Sequence, residues 1–340
     1  MKKASDRKTT IYALAELAQT SSSTVSAILN GTWRQRRISE ETANRVQALA
    51  LEHRYSVNRQ ASGLRKSRSG LIGMIIPTHE DHFFGSMSQV FDEMARTRHL
   101  QPIVVSTLRD AELEVATVAT LISYQIEYLV VAGATAPDAV SEVCQHHGVK
   151  HVNVDLPGTL APSVTSDNYW GAAQLTAILI ARSRPQHPPL RDRLYFIGGI
   201  AGDYATRRRV QGFADTVNQQ WPLEPQQIRN CGYDAALAET DLRQLCASLG
   251  GLPRGIVFAS SVVLEGAINY LKTLPLEELE RCVFCCCDWN PFASYLRFPV
   301  HMTRQDVSGL MEAAFQIIDG QDEGAPRPFV EVLPHLVLGD

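Results

Sequence analysis

Three groups of residues have side chains that can do chemistry. The first is the thiol run Cys282-Val283-Phe284-Cys285-Cys286-Cys287, which invites a metal. Successive residues of a strand point to opposite faces, so Cys285, Cys286 and Cys287 do not converge on one ion. No second CxxC or His pair stands at finger spacing, and no metal site is expected. The second group is the hydroxyl-rich stretch from Thr20 to Ser26 with Asn30, whose side chains can cap helices or donate to anionic oxygens. The third is a set of groups near the ends of short apolar runs: Phe83, Phe84, Asp155, Arg209 in RRRVQGF, Ser260, Asp288 and Gln305 in TRQD. Taken singly, an aspartate at a strand end reads as a turn or a cap.

None of these makes a catalytic set. There is no GxSxG elbow, Walker loop, HExxH or paired-carboxylate motif, and FIGGIAG (196–202) is not GxGxxG. His146-His147 fits a helix terminus. No enzyme and no cofactor are expected. Seven cysteines with no export signal read as free thiols in a reducing compartment. The basic start MKKASDRKTT is followed by no apolar h-region, and no run of 18 apolar residues occurs, so a cytoplasmic, non-membrane protein is expected.

The charge is uneven. The 340 residues carry −4 overall, but 1–70 carry +8 and the remainder −12. A basic head on an acidic body suggests a polyanionic partner for the head alone. Helical spacing predicts an amphipathic helix over 11–18, with Leu14, Leu17 and Ala18 on its apolar face. A second helix starts near Ser21, carries Val25, Ile28 and Leu29, and stops at Asn30-Gly31. A third fits 38–55, with Ser39 as its cap, Glu40 and Glu41 in its first turn, and Val46 and Leu49 buried. Two short helices across a tight turn, braced by a third, make a helix-turn-helix.

TTIYALAELAQTSSSTVSAILNG, followed by ISEETANRVQALALEHRYSVNRQASGLRKSRS, resembles the DNA-binding head of the LacI family of bacterial transcription factors. Ala15, Ala18, Thr24-Val25-Ser26, Asn30-Gly31, Tyr55 with Asn58, and Leu64 carry the resemblance. It implies that the second helix enters the major groove, with Ser22, Ser23 and Ala27 at the base-reading positions. Ser bonds to several bases and Ala only touches a thymine methyl, so weak direct readout is expected. Thr10, Tyr12, Ser21, Thr24, Ser26 and Asn30 fall at phosphate and framework positions. The loop TWRQRR (32–37) resembles that of the fructose-repressor and sucrose-repressor branch, and Arg34, Arg36 and Arg37 are expected to reach the sugar-phosphate backbone. Residues 58–66 match the family's hinge helix, in which Ala61 and Leu64 face the minor groove and two copies pair, implying a homodimer.

The body alternates apolar runs with helical stretches. Strands are expected at 71–77, 102–107, 127–133, 151–155 and 163–167, then at 194–199, 228–233, 255–260 and 282–288. Helices are expected at 86–99, 111–124, 137–147, 170–183, 204–219, 234–248 and 262–273. This is an α/β pattern of two parallel-sheet lobes, with ligands bound beyond the carboxyl ends of the strands. The body shares phrases with the fructose and sucrose repressors, and the resemblance implies a two-lobed, periplasmic-binding-protein-like body. It places Phe83, Phe84, Asp155, Arg209, Ser260, Asp288 and Gln305 at the effector positions, the effector being a small sugar or sugar phosphate. Fructose, fructose 1-phosphate and sucrose lead. Leu156 stands where many relatives have an arginine, which favours an unphosphorylated sugar.

The expected organisation is a helix-turn-helix domain at 1–57, a hinge helix at 58–68 and an effector-binding and dimerisation domain at 69–340. Its N-lobe takes about 69–168 and 304–326, its C-lobe about 169–303 and 327–340. The expected function is a ligand-responsive regulator, probed against double-stranded operator DNA, of carbohydrate metabolism genes. A sugar-binding protein without DNA function, a regulator answering to a purine, and a doubly wound enzyme are the competing readings. The basic head opposes the first, and the missing nucleophile and cofactor fingerprints oppose the last.

Overall fold

The computed structural model describes residues 9–55, 69–183, 193–320 and 328–339. The chain divides into two compact units, Met1–Ser69 and Gly70–Asp340. The expected hinge residues Asn58, Ala61 and Leu64 lie outside the described residues.

In the first unit, α1 (Ile11–Leu17), α2 (Ser22–Leu29) and α3 (Glu40–Glu52) each start at a hydroxyl cap. Thr10 Oγ1 accepts from the Ala13 N–H at 3.2 Å, Ser21 Oγ from Thr24 at 3.1 Å and Ser39 Oγ from Thr42 at 3.3 Å. Each such cap contributes roughly 1 kcal/mol. Leu14, Val25, Ile28 and Val46 form the core of this unit, with Trp33 of the TWRQRR loop packed against it. Leu17 is not part of that core. It is 49% exposed, because Leu14, Ala15 and Ala18 already complete the inward stripe of so short a helix.

The second unit holds two six-stranded sheets. The first is built from β1 (Leu71–Ile76), β2 (Gln101–Ser106), β3 (Tyr128–Ala132), β4 (Lys150–Val154), β5 (Ser163–Ser166) and β11 (Phe329–Val332), in the order β11-β5-β4-β3-β1-β2. The second is built from β6 (Leu194–Ile197), β7 (Ile228–Arg229), β8 (Gly255–Phe258), β9 (Val283–Cys286), β10 (Val300–Arg304) and β12 (His335–Val337), in the order β12-β10-β9-β8-β6-β7. Every pairing is parallel except that of β10 with β12. Buried apolar clusters lie on both faces of each sheet, as uninterrupted runs such as Leu71–Ile76 require. Cys285 and Cys287 pack into one cluster and Cys286 into the other, so the strand pleat parts the thiols.

Helices α4 (His82–Thr97), α5 (Ala111–Ser123) and α6 (Pro137–His146) belong to the first lobe. Helices α7 (Asn168–Ser183), α8 (Tyr204–Asn218), α9 (Ala235–Leu249), α10 (Ser261–Leu271) and the short α11 (Leu276–Leu279) belong to the second. Helix α12 (Val307–Gly320) returns to the first lobe, against β4 and β5. The chain thus crosses between lobes three times: after β5, after β10 and after β11. The last crossing corrects the expected boundary at 327. Phe329–Val332 extends the first sheet beside β5, because its edge accepts a parallel strand there, and only His335–Val337 joins the second.

Candidate functional site

The three crossings bring the carboxyl ends of both sets of strands to face each other. All seven residues expected at the effector positions line one cavity there: Phe83, Phe84, Asp155, Arg209, Ser260, Asp288 and Gln305. Phe83 and Phe84 open α4, whose cap is the Asp81 carboxylate accepting from the Phe83 N–H at 2.9 Å. That helix starts at His82, ahead of the expected 86, because the Asp81 carboxylate caps it there. Asp155 leaves β4 in a left-handed turn at φ 72°. Ser260 caps α10, accepting from the Val263 N–H at 3.4 Å.

The floor of the cavity is a dense polar array. Arg209 Nε donates to Asn168 Oδ1 at 2.7 Å and its Nη1 to the Ala259 carbonyl at 2.5 Å. Its Nη2 stands 3.6 Å from Asp288 Oδ1. Gln305 Nε2 donates to that same oxygen at 2.5 Å, and Gln305 Oε1 accepts from Ser166 Oγ at 2.5 Å. Burial pushes the Asp155 carboxyl up to about 7, against the pull of Arg209 and Arg109. Burial likewise raises Asp288 to about 6, with Arg209 opposing. Both groups therefore exchange protons near neutral pH, and each can accept from a ligand hydroxyl or donate to one.

Beside Leu156, five further residues that the sequence did not point to share the cavity: Asp81, Arg109, Asp203, Ala205 and Tyr233. Arg109 follows β2 and lies over the Tyr233 ring at 5.0 Å and the Phe84 ring at 5.9 Å, so it bridges both lobes. Its backbone is left-handed, φ 59°, and its carbonyl accepts from Thr135 Oγ1 at 3.2 Å. Thr135 is held in turn by the buried Glu114 carboxylate, which accepts the Thr135 and Ala136 N–H groups at 2.7 and 2.9 Å. The signal for Arg109, Asp203 and Tyr233 was available in their place just after strands 2, 6 and 7, where such sheets bind ligands. Leu156, next to Asp155, lines the same wall.

The inner cavity has about 30 Å³ of free volume and shares Phe83, Asp288 and Gln305 with an outer chamber of about 390 Å³. His82 and Trp289 meet across that chamber with ring centroids 5.5 Å apart, and Arg304 lies over the Trp289 ring at 4.8 Å. Inner and outer spaces form one cleft between the lobes.

On the first unit, Thr10, Tyr12, Ser21, Ser23, Asn30 and Arg34 are exposed, and Ser22, Thr24 and Ser26 are half-buried. Ser21 Oγ is within 2.7 Å of Ser23 Oγ and 2.9 Å of Thr24 Oγ1, and Asn30 Nδ2 donates to the Ser26 carbonyl at 2.7 Å. Arg34 lies over the ring of Trp33, 4.9 Å from its centroid, so the core contact of Trp33 anchors the basic loop. Ala27 departs from expectation. It is 4% exposed, so its methyl offers little surface to a base edge, although it is not part of the head's apolar core.

Comparison with known proteins agrees with this division. The profile described as bacterial regulatory proteins, lacI family, matches residues 10–58. That described as periplasmic binding proteins and sugar binding domain of LacI family matches residues 69–254. The chain is 51% identical over 193 residues to the ribitol operon repressor of Klebsiella aerogenes, covering 57% of this chain and 71% of that one. It is 29% identical over 338 residues to the sucrose operon repressor of Klebsiella pneumoniae, covering 96% and 97%. Among solved structures, the Lac repressor dimer bound to operator superposes with a TM-score of 0.79 at 19% identity, covering 96% of this chain and 97% of that chain. Among the described residues no helix is long and apolar enough to cross a membrane. The chain belongs to the LacI family of bacterial regulatory proteins, DNA-binding repressors of sugar operons rather than enzymes.

Proposed function

We propose that this chain is a cytoplasmic, homodimeric repressor whose operator affinity is set by a neutral polyol or sugar of about five carbons bound between the lobes. Ribitol is the leading candidate. The observation that carries the reading is the charge of the inner cavity. Four carboxylates, Asp81, Asp155, Asp203 and Asp288, face two guanidiniums, Arg109 and Arg209. With Asp155 and Asp288 raised to about 7 and about 6, the cavity still carries no net positive charge to offset burying a phosphate dianion, whereas hydroxyls find acceptors in the aspartates and donors in the arginines. Similarity to a ribitol operon repressor supports the size class and moves the preference away from fructose 1-phosphate. Fructose and sucrose remain as neutral comparators.

The domain roles follow the expected division: a head at 1–57 that binds DNA, a hinge at 58–68, and an effector-binding and dimerising body at 69–340. Ser22 and Ser23 then face base edges, while Thr10, Tyr12, Ser21, Thr24, Ser26, Asn30 and Arg34 serve phosphates. Closing the cleft on an effector rotates the lobes and separates paired hinges, with a coupling of roughly 1–3 kcal/mol. The test has two arms. Genomic fragments are selected on the full-length protein and confirmed by gel shift, with and without ligand. Calorimetry then compares ribitol, fructose, fructose 1-phosphate and sucrose. Tighter binding of fructose 1-phosphate than of every neutral ligand overturns the effector reading, and failure to retain any fragment overturns the operator reading.

A further inference from the structure

We infer that Ser166 and Asn168 are positioning residues that tie the effector floor to the lobe crossings through a ring of four hydrogen bonds and one ion pair, so that a ligand on Asp288 and Arg209 is felt at the first two crossings. The inference rests on the effector reading above. Asn168 Nδ2 donates to the Ser166 carbonyl at 3.0 Å, and Ser166 Oγ donates to Gln305 Oε1 at 2.5 Å. Gln305 Nε2 donates to Asp288 Oδ1 at 2.5 Å, which lies 3.6 Å from Arg209 Nη2. Arg209 Nε closes the ring by donating to Asn168 Oδ1 at 2.7 Å.

The members come from separate parts of the chain. Ser166 and Asn168 flank the first crossing and Gln305 sits on the second. Asp288 follows β9, and Arg209 lies on α8. All five are 8% exposed or less. The space beside them is small, about 10 Å³, and Pro334 of the third crossing lines it. Buried polar bonds of this kind strengthen one another, so loss of one link weakens its neighbours.

Hydrogen bonds of this length tolerate shifts of a few tenths of an ångström. The ring therefore closes only at one relative placement of the first two crossings. An effector hydroxyl that donates to Asp288 draws on the same carboxylate that accepts from Gln305. Occupying the floor thus redistributes bonds that reach both crossings. This gives Ser166 and Asn168 a role in the response although neither lines the inner cavity.

The test uses the full-length protein and the operator fragment recovered by selection. Ser166→Ala removes one link, and Asn168→Asp keeps the acceptor for Arg209 while losing the donor to Ser166. Each is expected to shift ligand-free operator affinity by about fivefold or more, the low end of allosteric coupling. Ser166→Thr, which restores the hydroxyl, is expected to recover affinity. Ser183→Ala is the control: its buried hydroxyl bonds the Leu179 carbonyl within α7, outside the ring, and operator affinity should not move. Thermal melting monitors folding in every case. Unchanged operator affinity in both folded ring variants overturns the inference, whatever ribitol does. A shift in those variants with no calorimetric binding of ribitol to the unmodified protein supports the ring and overturns the polyol reading alone.

Discussion

Replacing Asp155 by Asn should stabilise the body at alkaline pH and leave it nearly unchanged in mild acid. Asp155 is 8% exposed, and burial raises its carboxyl from 3.8 to about 7. The folded protein thus holds a proton that the unfolded chain releases between about pH 4 and 7. Stability from this group is fully present below the unfolded value and is lost as pH rises through 7. A shift of about three units corresponds to about 4 kcal/mol at most. Asn adopts the left-handed backbone of this position as readily as Asp does, so the φ of 72° does not confound the exchange. At roughly 2 °C per kcal/mol for a body of this size, the variant should melt up to about 8 °C higher at pH 8. At pH 4.5 the two melting temperatures should converge. Asp288, raised to about 6 by burial, keeps some pH dependence in both proteins. The assay is thermal unfolding of both full-length proteins across this range. A variant that melts lower at pH 8, or a difference that does not depend on pH, refutes the reasoning.

Other perturbations probe the remaining parts. Gly133 has φ 60°, and a Cβ there would stand 2.6 Å from Phe84 Cζ and 2.9 Å from Pro77 Cγ. Gly133→Ala should cost about 1–3 kcal/mol and push Phe84 into the cleft, weakening ribitol binding in calorimetry; an unaltered melting temperature would contradict this. Ala27→Leu should overcrowd this buried position by a similar amount and weaken the gel shift, while Ala27→Ser should leave the selected operator sequence unchanged because the position is only 4% exposed. If the head neutralises roughly 6–10 phosphates, operator affinity should fall about 10³–10⁵-fold between 50 and 200 mM salt, and a flat salt titration would count against phosphate-led binding.

The sequence was most legible where a single physical rule acts locally. Apolar spacing announced the first two head helices, the Ser39 cap the third, and continuous apolar runs the parallel strands. Strand ends pointed to Asp155, Ser260 and Asp288, which the fold brings into one cavity. Legibility failed where tertiary geometry decides. Leu17 has the hydrophobicity of a core residue, yet a seven-residue helix has only one narrow inward stripe and it lies elsewhere. The strands at 329–332 and 335–337 are short, exposed in part and only two residues apart, so nothing in their composition assigns them to different sheets.

Arg109 shows the same limit at the site. In sequence it is a turn residue in Thr-Leu-Arg-Asp, and its neighbour Leu108 also has positive φ, at 55°. The Glu114–Thr135 support, from residues that follow it in the chain, fixes that turn together with the Leu108 N–H bond to the Pro77 carbonyl at 2.8 Å. The family resemblance puts an arginine beside Asp155, where Leu156 stands. The fold supplies a guanidinium to the same cavity from another loop. That guanidinium rests on an aromatic ring from each lobe and still leaves the aspartates in the majority. The preference for a neutral ligand therefore survives for a different reason: it follows from the balance of charge around the whole cavity, not from one residue after Asp155.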